Sequence, residues 1–83
     1  MIRLRYFASL RERLHIGDEA VTLPDGIVTV AGLQRWLQDR GEPWSEALAD
    51  ERLMVAVNQE IAEPAASIRD GDEIAWFPPV TGG

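Results

Sequence analysis

One stretch of this chain has a helical apolar period long enough to cover a sheet. From Thr29 onward, Val30, Leu33, Trp36 and Leu37 recur at helical intervals, and Gly41 stands where a helix would stop. Thr29 suits the N-cap because its hydroxyl can accept from an orphan amide of the first turn. The spacing predicts a helix running to about Arg40. Gly32 inside it costs about 1 kcal/mol relative to alanine, which a close approach to a sheet would explain. The segments around this helix carry strand periods. With 83 residues there is room for one small core. A mixed sheet packed on one face by the helix, of class α+β, is the simplest two-layer solution.

Residues Ile2 to Phe7 alternate, with Ile2, Leu4 and Tyr6 on one side and Arg3, Arg5 and Phe7 on the other. Phe7 either shares the arginine face or folds back into the core as the strand ends. Phe7, Leu10 and Leu14 then fall at helical spacing, predicting a short amphipathic helix over 8–14. Gly17-Asp18 reads as a turn, and Ala20 to Leu23 as a strand stopped by Pro24-Asp25-Gly26. A second short helix is expected from Pro43-Trp44 through Ala49, with Trp36 and Trp44 as core residues. Leu53 to Val57 is apolar throughout, as in a strand that is central or covered on both faces. Asn58-Gln59-Glu60 turns the chain before Ile61. Arg69-Asp70-Gly71-Asp72 has tight-turn composition, and a hairpin turn fits it better than a cation site, since the spacing of a calcium loop is missing. Glu73 to Phe77 is the last strand; if Ile74 and Trp76 face the core, Phe77 faces out.

Composition removes several functions. The net charge of -6 argues against non-specific nucleic-acid binding. It suits a partner with a basic surface, or simply solubility. There is no cysteine, so disulfides, zinc-thiolate sites and cysteine nucleophiles are excluded. All eight basic residues are arginine, so no side-chain amine could attack an activated carboxyl group. His15, the one histidine, lies among charged residues and reads as solvated. No phosphate-binding glycine loop, metal-ligand pattern or membrane span is present, and a soluble cytoplasmic protein is expected. The chain carries no recognisable active site of its own.

What remains is the ending, Phe77-Pro78-Pro79-Val80-Thr81-Gly82-Gly83. Two prolines cannot continue a strand ladder, and they favour a stiff, extended exit. From Pro78 to Gly83 a nearly extended chain reaches ~20 Å. Such an end is either frayed or presented. If presented, its chemistry is that of a carboxylate. Adenylation by an ATP-using partner would activate Gly83, and attack by sulfide would give a thiocarboxylate. Gly82 and Gly83, lacking β-carbons, could thread a narrow channel.

These residues resemble a known family, the small sulfur-carrier subunits of molybdopterin synthases, which are ubiquitin-like proteins of the β-grasp fold. The resemblance spans nearly the whole chain. It is carried by the Phe-Pro-Pro-Val-Thr-Gly-Gly ending, Asp70-Gly71-Asp72-Glu73-Ile74, Val55-Ala56-Val57-Asn58-Gln59, and Tyr6-Phe7-Ala8 with Leu10-Arg11-Glu12. It implies a β-grasp domain over 1–77 and a flexible tail over 78–83. It implies that a ubiquitin-activating-like enzyme adenylates Gly83 with ATP and that a sulfur donor protein supplies the thiocarboxylate sulfur. The tail would then enter the large subunit of molybdopterin synthase, typically within a heterotetramer, and pass sulfur to cyclic pyranopterin monophosphate during molybdenum cofactor biosynthesis. Catalytic groups would lie in the large subunit, and this chain would bind no cofactor, metal, nucleic acid or membrane. Because the first and last strands of this fold lie side by side, the resemblance implies that Phe7, Ile61 and Phe77 form an apolar docking patch. Pro78, Pro79, Val80, Thr81 and Gly82 would follow as partner contacts. Other readings are a sulfur carrier for thiamine synthesis or tRNA thiolation, and a ubiquitin-like protein modifier or interaction domain.

Overall fold

A computed structural model describes residues 1–79. The elements run β1 (Ile2–Tyr6), α1 (Ala8–Leu14), β2 (Asp18–Val21), α2 (Val30–Gln38), α3 (Trp44–Ala47), β3 (Met54–Val57), β4 (Glu60–Ile61) and β5 (Glu73–Phe77). The strands form one five-stranded sheet in the order β2-β1-β5-β3-β4. Only β1 and β5 pair in parallel; the other three pairings are antiparallel. The sheet is mixed, with α2 packed on one face, and the fold is an α+β β-grasp. No helix among the described residues is long and apolar enough to cross a membrane.

Pleating sorts the strands into two faces. Ile2, Leu4 and Tyr6 of β1 and Ile74 and Trp76 of β5 are buried against Val30, Leu33 and Leu37 of α2. Leu10 and Leu14 of α1, Ala47, Leu48, Val55 and Ile68 complete the cluster. Each fully buried large side chain contributes about 1.5–3 kcal/mol of transfer free energy. Helix α2 starts as its sequence dictates, for Thr29 is extended (φ -132°, ψ 161°) and its Oγ1 accepts from the Gly32 amide at 3.1 Å. Loop carbonyls satisfy two further first-turn amides, Val30 N–H donating to Ala66 O and Ala31 N–H to Pro64 O.

Several expectations are corrected. Strand β2 begins at Asp18, because its register opposite β1 pairs Arg5 with Asp18 and Ile2 with Val21; Leu23 lies beyond it. Helix α3 ends at Ala47, short of Ala49. Gly32 does not mark an approach to the sheet: a β-carbon there would meet Thr29 Oγ1 at 3.3 Å and Ile27 Cγ2 at 3.7 Å, so the N-cap itself is what crowds the site. Strand β3 lies inside the sheet, between β5 and β4, but it is not covered on both faces, since Met54 is 37% exposed on the face away from α2. Glu60 and Ile61 form a short strand, joined to β3 by Asn58 and Gln59, both at positive φ (51° and 70°). That is the backbone of a tight two-residue hairpin, which asparagine tolerates well. The Asp70–Asp72 turn is tight, with Gly71 at φ +94°, but it leads into β5 without joining paired strands and is not a hairpin. Trp36 and Trp44 are half-buried at the core's margin.

Candidate functional site

Among the described residues no helix lies over the face of the sheet away from α2, and the two halves of that face differ. In one half the charges pair: Arg3 Nη1 lies 3.3 Å from Asp18 Oδ2, and Arg5 Nη1 lies 3.9 Å from Glu73 Oε2. Such exposed pairs contribute about 0–1 kcal/mol each. The other half, toward the end of β5, is apolar. Register aligns Ile61, Ala56 and Ala75 in one row, and Met54 with Phe77 in the next. Phe7 continues β1 beyond the Tyr6–Trp76 pair, with extended backbone, and its amide donates to Trp76 O at 3.2 Å. The Arg5 guanidinium sits 5.1 Å from the Phe7 ring centroid. Phe7 therefore shares the arginine face and is not folded into the core.

The structure thus brings Phe7, Ile61 and Phe77 onto one surface. Ile61 is 64% exposed, Phe7 38%, and Phe77 half-buried. Ala56 and Ala75 leave a low floor between the larger side chains. Sequence reading missed Met54, although period two from Val55 and Val57 toward the helix would have put it on this face beside Phe77. Pro78 and Pro79 are half-buried where the chain leaves the sheet. Val80, Thr81, Gly82 and Gly83 lie outside the described residues.

Polar anchors fix the opposite end of this face. Asn58 donates its backbone amide to Glu73 O (2.8 Å), accepts from the Glu73 amide at Oδ1 (3.0 Å), and donates Nδ2–H to Asp72 Oδ1 (3.0 Å). The Arg69 amide donates to Asp72 Oδ2 at 2.9 Å. The Asn58 amide, and then the Arg69 N–H, hold the Asp72 carboxyl below the usual carboxylate range. Two segments singled out separately in the sequence, 55–59 and 70–74, are thereby tied together. Among the described residues no three His, Cys, Asp or Glu side chains cluster to hold a metal ion. His15 is exposed at the left-handed C-cap of α1 (φ 59°), apart from this surface. What the face offers is an exposed apolar patch, a kind of surface that in general marks protein contacts, beside the point where the chain leaves the sheet.

Known proteins share this architecture and sequence. The crystal structure of SAMP1 from Haloferax volcanii aligns with a TM-score of 0.76 at 28% identity, covering 99% of this chain and 98% of that one. The molybdopterin synthase sulfur carrier subunit of Haemophilus influenzae is 40% identical over 83 residues, the full length of both chains. The corresponding subunit of Escherichia coli is 39% identical, again over the full length of both. The ThiS family model matches residues 4–83. The chain belongs to the ThiS family, with molybdopterin synthase sulfur carrier subunits as full-length relatives.

Proposed function

We propose that this chain is the sulfur-carrier subunit of a molybdopterin synthase. The observation that carries the reading is the full-length match, at 40% and 39% identity, to two proteins named for that role. The apolar half-face around Phe7, Met54, Ile61 and Phe77 supports it as a surface for the large subunit, placed beside the exit of the tail. Gly83 is the reacting residue. Its carboxylate attacks ATP on an activating enzyme, giving an acyl-adenylate and releasing pyrophosphate. Sulfur delivered as sulfide by a donor protein attacks the acyl carbon, displaces AMP and leaves a terminal thiocarboxylate. In the large subunit the sulfur passes to cyclic pyranopterin monophosphate, and water restores the Gly83 carboxylate. The chain contributes no general acid, base or metal; it supplies one sulfur atom and the surface that delivers it.

Intact-mass analysis after incubation with ATP, a sulfur source and an activating enzyme tests the chemistry. The expected result is a mass gain equal to one oxygen-to-sulfur exchange, mapped to Gly83 and lost when Gly83 is deleted. No gain with an enzyme that activates an authentic carrier would sink the reading, and amide-linked conjugates to other proteins would favour a modifier. For docking, Phe77→Asp is expected to weaken binding to the large subunit by at least about tenfold, or ~1.4 kcal/mol, while the protein remains folded. Unfolding instead would mean that Phe77 acts as core.

A further inference from the structure

Directly behind the docking face, the last rung of the parallel β1–β5 pair carries a stack of aromatic rings on the helix side. Tyr6 and Trp76 stack with centroids 5.9 Å apart at 17°, and Trp44 meets Tyr6 edge-on at 5.3 Å and 73°. Both rung residues are buried, at 1% and 0% exposure, and each is pinned by its polar atom. Trp76 Nε1–H donates to Gln34 Oε1 at 3.0 Å, and the Tyr6 hydroxyl donates to Glu19 Oε2 at 2.9 Å. Glu19 is in turn gripped by Arg40, whose Nη1 and Nη2 lie 2.9 and 3.1 Å from its two oxygens. The Arg40 guanidinium sits 4.4 Å from the Trp44 ring centroid and 5.4 Å from that of Trp36. The two charged side chains are 28% and 18% exposed, so the pair is partly withdrawn from water and screened less than a surface pair.

We propose that Arg40 is a positioning residue for the docking face, acting through Glu19 and Tyr6 to hold Phe7 in register with Phe77 at the root of the tail. The proposal rests on the docking role given to that face above. Phe7 follows Tyr6 without an intervening residue, and Ala8 then turns the chain at a left-handed φ of 55°. A shift of Tyr6 therefore passes to Phe7 with little slack. Without Arg40, the Glu19 carboxylate has water as its best remaining partner and turns toward it, and the Tyr6 hydroxyl loses its acceptor. The rung then samples more than one arrangement, and a partner that needs Phe7 and Phe77 together must select the competent one, which lowers apparent affinity.

The test is calorimetric titration of the full chain into the large subunit, reading affinity and stoichiometry separately, for Arg40→Gln, Arg40→Lys, Val30→Ala and Phe77→Asp. Val30 is core but takes no part in the hydrogen bonds and ring contacts that link Arg40, Glu19 and Tyr6, and serves as a variant that loses stability alone. Expected is a Kd raised about three- to tenfold for Arg40→Gln at unchanged stoichiometry. Arg40→Lys should recover part of the loss, and Val30→Ala should bind like the parent at a temperature where all variants are folded. An unchanged Kd for Arg40→Gln, or an equal loss in Val30→Ala, overturns the positioning role. If Phe77→Asp binds as tightly as the parent, the docking face itself is misassigned and this proposal falls with it.

Discussion

Gln34→Leu should destabilise the fold, although Gln34 is only half-buried and leucine adds apolar surface. Its side chain joins three parts of the molecule: Oε1 accepts from Trp76 Nε1–H at 3.0 Å, and Nε2 donates to Leu48 O at 2.8 Å. Trp76 is fully buried, so leucine strands its indole N–H; an orphaned buried donor costs about 1–3 kcal/mol. The Leu48 carbonyl loses its donor too, but Gln34 lines an open groove between α2 and β3, and water can take its place there. The extra apolar surface of leucine returns roughly 0.5–1 kcal/mol. The net loss is about 1 kcal/mol, or ~4–8 °C in melting temperature for a domain of this size. Urea denaturation followed by tryptophan fluorescence measures it as a lower midpoint at unchanged slope. Gln34→Glu keeps an acceptor for Trp76 and should lose less. A Gln34→Leu protein within about 0.5 kcal/mol of the parent would refute the assignment of this hydrogen bond as the anchor of the last strand.

Two further predictions concern pH. Tyr6 is the single tyrosine, so phenolate absorbance reports it alone. Burial foremost, then the Glu19 charge and hydrogen bond, push its phenol well above the usual range against the lowering effect of Arg40. A raised folded value means that the stability it contributes is intact below the unfolded pKa of about 10 and is lost as pH rises beyond it. Phenolate should therefore appear in one steep step together with unfolding, and a smooth titration near pH 10 in folded protein would contradict the buried geometry. Asp72 behaves oppositely: its lowered pKa contributes stability above the unfolded value near 3.9, and that stability is lost as pH falls through the folded value. Asp72→Asn should melt below the parent at pH 7, and the gap should close in acid; a gap that persists there would point to a cause other than the charge.

The alternation of Ile2 to Tyr6 and of Glu73 to Phe77 was enough to place both strands and both faces, because each strand is buried on one side only. The capping threonine and the apolar period likewise marked α2. Less visible was anything set by pairing across the chain. Strand β2 starts earlier than its own residues suggest because β1 pairs with Asp18 and Glu19 despite their charge. Two-residue β4 carries no period at all and exists because Asn58 and Gln59 accept left-handed backbone. The site was legible where a side chain's face follows from local period, as for Phe77, and ambiguous at Phe7, where strand gives way to helix. Arg40 gave no signal, since the carboxylate it grips, Glu19, lies 21 residues away on another element.

The parallel pairing of β1 with β5 also decides how the molecule bears load. Strand β5 leads to the tail, and it runs beside β1 on one flank and β3 on the other. A partner that grips the tail pulls along the axis of β5. Its ladder hydrogen bonds, which lie across that axis, are then strained together in shear and do not open one after another from an end. The Asn58 contacts to Glu73 add to the hold at the far end of the same strand. Resistance to extraction by a pulling enzyme is governed by the unfolding rate, so this carrier should withstand handling by its last residues better than its small core alone would suggest.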